Sequence, residues 1–372
     1  MSDTYRRYRA IAQSLLQLYP KVEGHQRRQL ATLTLLVTGI VGSQHTQLPK
    51  VVEHTPGGRA SDESVVMRFR RFLKHEQVSY QQWMLPVAQA LLTMLAPQGL
   101  VFVIDGSTVA RGCMSLMVSV LYRHRALPIA WVVVKARKGH LSEALHCEVL
   151  DQLKPLVPRE ADVMILGDGE FDGTAWQAAI REHGWRYVCR TASDILVSVA
   201  ESTIAMRDLA PARGSAVALE DALVTAARFG PVNAIAVWEA AYETPLYLVT
   251  NHSDLEHALA LYRRRAQIET FFSDQKSRGF RIDRSHLADP KRVARLMIAT
   301  ALAYLWVVYL GVVARRDPDS NRFVRKDRCD LSLFSLGLRF VAYCLRHRRP
   351  IPTGVPKRLA LIREHLLTRS VR

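Results

Sequence analysis

The sequence predicts an α/β core of element order βββαβαβ set between helical, basic ends. Three observations predict it. After Gly99 the apolar residues change from a helical to a strand-like period. Three apolar runs joined by short polar turns follow, the pattern of an antiparallel meander. Strand-like and helix-like stretches then alternate, as in α/β units.

The N-terminal elements come first. Tyr5–Tyr19 carries apolar residues at helical intervals and stops at Pro20. Gln26–Val41 (QRRQLATLTLLVTGIV) reads as a second helix. After Gly57-Gly58, Ser61-Asp62-Glu63 caps a third. It contains MRFRRFLKH, where Arg68, Arg70, Arg71 and Lys74 alternate with Phe69 and Phe72; the rings are expected inside and the cations outside. Tyr80–Leu95 is the fourth helix. Residues 1–98 are therefore expected to form a helical, basic, DNA-binding domain.

In the core, Leu100–Ile104 is a buried-type strand that ends in Asp105-Gly106-Ser107. Met114–Tyr122 and Ile129–Lys135 complete the meander through the turn RHRALP. Ser142–Leu153 is helical. Asp162–Leu166 is a fourth strand running into Gly167-Asp168-Gly169-Glu170-Phe171-Asp172. Thr174–His183 is helical, and Arg186–Cys189 is a fifth strand. This is the order of the ribonuclease-H-like fold. Residues 192–250 interrupt it with short alternating runs (Ile195–Val199, Ala216–Leu219, Val232–Trp238, Leu246–Thr250), read as a β-rich insertion. The core, 99–191, resumes over 251–314. A basic helical region, 315–372, follows, with helices near 331–346 and 357–368.

Charge limits the partners. The net charge is +17 with a pI near 10.0, a balance that points to nucleic acid or an acidic membrane. It is uneven. Residues 1–99 hold 12 Lys+Arg against 6 Asp+Glu and residues 315–372 hold 15 against 5, whereas 192–250 hold 3 against 7. The basic ends read as grips on a polyanion and the acidic stretch as a separate module. The 5 cysteines are scattered and never form CxxC, which argues against a disulfide frame or a zinc site. The polar, basic start MSDTYRRYRA is unlike a secretory signal, and a cytoplasmic, nucleoid-associated protein is expected. Leu296–Ala314 is nearly long and apolar enough to span a bilayer; a buried core helix is the preferred reading, so no membrane partner is expected.

The chemistry centres on Tyr262–Lys276, YRRRAQIETFFSDQK. On one continuous helix, at about 100° per residue, Tyr262, Arg265, Glu269 and Lys276 fall within roughly 60° of each other. Ile268 and Phe271 lie opposite and can anchor it. A solvated face laced with ion pairs has the same pattern. Two upstream acids favour a site. In this topology the first and fourth strands are parallel neighbours, so Asp105 and Asp168 can lie side by side at their C-terminal ends. Glu269 would join them from the helix. Three converging acids repel unless a cation stands between them, and oxygen donors without His or Cys favour Mg²⁺ or Mn²⁺. Two such ions suit in-line attack on a phosphodiester. Glu170 and Asp172 are rivals to Asp168, which is preferred because it follows the strand first. Tyr262, Arg265 and Lys276 would hold phosphates, and Lys135, Arg137 and Lys138 are further DNA-contact candidates by charge.

These residues resemble the DDE transposases of bacterial insertion sequences, the branch called family four, marked by Y-x2-R-x3-E-x6-K. Tyr262, Arg265, Glu269 and Lys276 complete that motif, and Asp105 in VIDGS and Asp168 in LGDGEFDG match the first two acids. The resemblance implies an enzyme that binds terminal inverted repeats, cleaves at the ends with Mg²⁺ (Mn²⁺ substituting) and joins 3′-hydroxyls to target DNA. It implies a homodimer on double-stranded DNA. Well-known members excise through a hairpin, with aromatics stabilising a flipped base. Here Leu246 stands where a Trp is expected, and Trp238 and Tyr247 are the nearby candidates. A ribonuclease-H-like nuclease or resolvase that only hydrolyses DNA, or a non-catalytic transposase-derived DNA-binding protein, are the alternatives.

Overall fold

The computed structural model describes residues 1–137, 139, 141–324 and 331–354. The helix expected over 357–368 lies outside them. Residues 1–98 form α1 (Asp3–Leu18), α2 (Gly24–Ser43), α3 (Leu48–Val52), α4 (Asp62–Lys74), α5 (Tyr80–Trp83) and α6 (Leu85–Leu95). Ser2, Ser61 and Ser79 cap their helices by accepting the N–H three residues on. The single helix expected over Tyr80–Leu95 breaks at Met84, since Pro86 has no N–H to continue the ladder. On α4 the buried residues are Val66, Phe69, Phe72 and Leu73; the cations face out.

The core follows as β1 (Leu100–Ala110), β2 (Cys113–Tyr122), β3 (Arg125–Lys135), α7 (Glu143–Leu153), β4 (Val163–Gly167), α8 (Thr174–Glu182) and β5 (Arg186–Arg190). The sheet order here is β3-β2-β1-β4-β5. β1 is antiparallel to β2 and parallel to β4, and β4 is parallel to β5. That is the ribonuclease-H-like arrangement. One expectation needs correction: β1 does not end before Asp105. It runs on to Ala110 because β2 continues to pair with it, Asp105 against Met117 and Thr108 against Met114. The polar run DGST hides a strand that only its partner reveals.

Residues 192–250 supply β6 (Leu196–Val199), β7 (Ser202–Ala205), β8 (Ala216–Val224) and β9 (Phe229–Val237), and β10 (Leu246–Thr250) leads out. They do not stand apart as a module. β10 pairs with β5 on one side and β9 on the other, so one ten-stranded sheet runs β3-β2-β1-β4-β5-β10-β9-β8-β6-β7. β7, a short and mostly polar strand (STIA), has no apolar pattern to announce it.

The chain then forms α9 (Leu255–Tyr262), a 3₁₀ turn over Arg263–Ala266, α10 (Gln267–Gln275) and α11 (Pro290–Ala314). The continuous helix expected over Tyr262–Lys276 is therefore interrupted. Two arginines of the turn take different partners: Arg263 Nε meets Glu239 Oε1 at 2.6 Å, while Arg265 turns to Asp105. Among the described residues α11 is the helix long and apolar enough to cross a bilayer, and its apolar window is 94% buried inside the fold. It packs on α2, α4 and β3, and against α12 (Leu333–Arg346). α11 and α12 cross so closely that a Cβ on Gly337 would stand 1.9 Å from the Val307 carbonyl oxygen. Arg6 of α1 donates to the carbonyls of Cys344, Leu345 and Arg349. The helical ends thus share one layer around α11, and some of their cations hold backbone rather than a polyanion.

Candidate active site

Strand register positions the first two acids. Val103 of β1 lies opposite Leu166 of β4 in a parallel pair. Continuing that register by two residues brings Asp168 level with Asp105. The two share strand parity, so their side chains leave the sheet on the same side. β4 ends at Gly167, which leaves Asp168 at the open C-terminal edge beside the still-running β1. Asp105 Oδ1 accepts the Gly106 N–H at 2.7 Å, and Asp168 Oδ1 accepts the Glu170 N–H at 3.0 Å. Gly169 has nothing within 4 Å of a Cβ position, so the approach to Asp168 is open.

Arg265 joins the third acid to this pair. Its Nη1 lies 3.7 Å from Asp105 Oδ2 and its Nη2 lies 3.2 Å from Glu269 Oε1. Side-chain exposure is 18% for Arg265, 14% for Asp105 and 62% for Glu269. Burial opposes the Arg265 charge, but Tyr262, Asp105, Asp168 and Glu269 outweigh it and hold its pKa above the ordinary arginine value. Asp168 therefore lies within the same field. Burial pushes the Tyr262 phenol up to about 12, with Arg265 and Arg190 pulling it down less. Lys276 follows α10, and its Nζ donates to Ser107 Oγ at 2.6 Å. It thus ties the end of α10 to β1 two residues past Asp105.

The rival acids have other duties. Asp172 Oδ2 accepts the Thr191 hydroxyl at 2.8 Å, and burial raises its pKa. It anchors the loop to the end of β5. Glu170 Oε1 accepts the Leu141 N–H at 3.3 Å. Lys135 is exposed at the end of β3, opposite Cys113. That is four residues along β2 from the level of Asp105, or about 13 Å. Arg137 is exposed beyond the strand, and Lys138 lies outside the described residues.

Beside Arg265 a cavity of about 330 Å³ is lined by Arg190, Tyr242, Leu246, Tyr262 and Arg263, among others. Neither Trp238 nor Tyr247 lines it. The aromatic that does, besides Tyr262, is Tyr242, which is 62% exposed. Trp238 Nε1 donates to the Tyr242 carbonyl at 3.0 Å, so it supports the loop rather than facing the cavity. Tyr242 sits in the polar stretch EAAYETP and carried no signal in the sequence. Ser107 had one, its place in VIDGS.

The fold and the level carboxylates define a domain of the ribonuclease-H-like class. A sequence model of the transposase DDE domain matches residues 96–306, more than half of the chain, and the chain belongs to that family. Among solved structures, the cryo-EM structure of the piggyBac transposase synaptic complex with hairpin DNA aligns with a TM-score of 0.47 at 12% identity, over 99% of this chain and 85% of that one. The crystal structure of human ENDOV aligns with a TM-score of 0.27 at 16% identity, over 60% of this chain and 98% of that one. No curated protein matches the sequence.

DDE transposases generally use divalent metal ions. The donors here fit such an ion in kind: Asp105, Asp168 and Glu269 are hard oxygen ligands without His or Cys among them. Their present spacing is one in which a guanidinium supplies the positive charge. Among the described residues, no three His, Cys, Asp or Glu side chains stand close enough to hold a metal ion together.

Proposed function

We propose that this protein is the transposase of a bacterial insertion sequence, of the branch marked by Tyr262, Arg265, Glu269 and Lys276. It binds the terminal inverted repeats of its element as a homodimer, cleaves DNA at the ends and joins the 3′-hydroxyls to target DNA in the cytoplasm. The observation that supports this reading is the parallel pairing of β1 and β4 up to Val103 and Leu166, two residues before Asp105 and Asp168, together with the ion pairs of Arg265 with Asp105 and Glu269.

Asp105, Asp168 and Glu269 would hold Mg²⁺, with Mn²⁺ substituting. Bound there, the ion supplies Lewis-acid stabilisation to a phosphodiester under in-line attack. The protein's own part is positioning. Arg265 offers a planar fork that suits a phosphate as well as it suits a carboxylate. Tyr262, kept as a neutral phenol by burial, can donate its proton in a hydrogen bond to a phosphate oxygen. Lys276 braces α10 against Ser107 and so sets where Glu269 stands. Tyr242 offers an exposed ring for a base lifted from the helix, in place of the nearby candidates Trp238 and Tyr247.

Purified protein, incubated with Mg²⁺ and a duplex carrying the element's end, tests this. Single-strand cleavage followed by joining of the new 3′-hydroxyl to a second duplex is the expected result. Cleavage without joining would assign a hydrolytic nuclease, and binding without cleavage would assign a non-catalytic derivative.

A further inference from the structure

A basic hollow lies apart from the three acids. It has a volume of about 620 Å³ and lies between α4 and the segment 285–292, which leads into α11. Arg70, Arg71 and Lys74 come from α4, and His286 and Arg292 come from the opposite wall. Among the described residues, no carboxylate lines it. Met67, Leu48 and Leu287 supply an apolar floor. The Arg292 Nε atom is buried and has no hydrogen-bond partner among the described residues. On the other flank of α4, Arg28, Arg68 and Arg71 line a smaller hollow of about 170 Å³. The C-terminal half of α4 is therefore a cationic ridge.

The hollow is connected to the active site by backbone. The Arg111 N–H donates to the Leu287 carbonyl at 3.3 Å, and Cys113 Sγ donates to the Ala288 carbonyl at 3.4 Å. Leu287 thus sits at the tip of the β1–β2 hairpin. From Asp105 to Arg111 along β1 is at most about 20 Å, the length of about six base pairs. The segment between Lys276 and the hollow adds Arg278 and Arg281, while its Arg284 is paired with Asp283 at 3.4 Å.

We infer that this hollow is a phosphodiester-binding site for the duplex whose scissile phosphate lies at Asp105. It grips the sugar–phosphate backbone of one strand about six base pairs from the reacting bond. Arg70, Arg71, Lys74 and Arg292 neutralise phosphates, and the apolar floor meets the sugars. It reads no base sequence. The inference rests on the transposase reading for the identity of the polyanion as duplex DNA, but not on any catalytic step.

The test measures binding without chemistry. Glu269→Gln protein is titrated into a fluorescent 30-base-pair duplex in EDTA at several salt concentrations. Each phosphate neutralised contributes about 0.9 to the slope of log K against log salt. Adding Arg70→Ala and Lys74→Ala should lower that slope by about 1.8 and weaken binding at least tenfold at moderate salt. Arg159→Ala with Arg207→Ala removes equal charge from exposed positions elsewhere and should change the slope by less than half as much. Lys74→Gln alone, with a loss of about 0.9, serves if the double variant unfolds. Equal effects from the two pairs, or an unchanged slope in the hollow variants, would overturn the site. A selective loss of slope in a protein whose unsubstituted form never cleaves DNA with Mg²⁺ would sustain the site while the transposase reading fails.

Discussion

Arg265 stands 3.7 Å from Asp105 across the gap between the 3₁₀ turn and β1. The same guanidinium holds Glu269 at 3.2 Å, so one organic cation links acids from two elements. It occupies the electrostatic role that a divalent ion would otherwise take. Replacing Arg265 with Ala releases both carboxylates and leaves their repulsion uncompensated. Mn²⁺ binding to the DNA-free protein, followed by electron paramagnetic resonance, should tighten roughly five- to tenfold, equivalent to about 1–1.4 kcal/mol. Cleavage should fall in the same variant, because Arg265 no longer meets a phosphate. Weaker Mn²⁺ binding would mean that Arg265 organises the acids rather than competing for them.

The register argument ranks the acids. Asp105→Asn, Asp168→Asn and Glu269→Gln should each lower strand cleavage about a thousandfold or more, a loss of several kcal/mol of transition-state stabilisation. Affinity for an end duplex in EDTA should stay within about twofold, since no phosphate grip is removed. Asp172→Asn should keep cleavage and instead lower the melting temperature, because its carboxylate accepts the Thr191 hydroxyl. The opposite result for Asp168 and Asp172 would reassign the second acid.

Tyr242, rather than Trp238 or Tyr247, lines the cavity beside Arg265. A base stacked on an aromatic ring is worth about 1–3 kcal/mol. With 2-aminopurine at the end of the cleaved strand, Tyr242→Ala should change the fluorescence of the protein–DNA complex, and Tyr247→Ala should not. Trp238→Ala should act indirectly, by loosening the loop whose carbonyl its indole N–H holds. Identical responses from Tyr242→Ala and Tyr247→Ala would remove this assignment.

A buried pair sets the pH dependence of α10. Asp274 Oδ2 lies 3.2 Å from Arg125 Nη1, with the side chains 3% and 10% exposed. Burial pushes the Asp274 carboxyl up to about 6, and Arg125 and Arg278 pull it down less. An acid with a raised pKa keeps its proton in the folded state at pH values where the unfolded chain, near 3.8, has lost it. Its contribution to stability is full below that unfolded value and is lost as pH rises through about 6. Relative to Asp274→Asn, which does not titrate, the unsubstituted protein should lose about 1 kcal/mol between pH 5 and pH 7. Chemical denaturation of both proteins at the two pH values measures this difference. A constant difference would place the Asp274 pKa in the ordinary range.

Much of this architecture was legible in the residue pattern. Periods of two and 3.6 located the meander, the α/β units and most helices, because half-buried strands and amphipathic helices must repeat at those intervals. Local pattern and partner disagree at a few places. DGST resembles a turn and predicts an end to β1 at Asp105, yet β2 carries the strand to Ala110. The helical spacing over Tyr262–Lys276 predicts one unbroken helix. The turn Arg263–Ala266 is 3₁₀, and its Arg263 and Arg265 pair with Glu239 and Asp105 on other elements. The acidic charge of 192–250 suggests a separate module, although its strands extend the central sheet.

By itself, the sequence determined which residue types were available: three acids without His or Cys partners, a motif of Tyr, Arg, Glu and Lys, and an excess of cations at both ends. Chemistry of that kind is local, because a side chain's charge and donor type do not depend on the fold. Only the tertiary structure decided which of them meet. It paired β1 with β4 in parallel up to Val103 and Leu166, sent Lys276 to Ser107, and gave Tyr242 the cavity wall. It also gathered the cations of α4 and of residues 285–292 into one hollow. Those pairings join residues tens to hundreds of positions apart, and such contacts follow from sheet order and helix packing rather than from any local pattern.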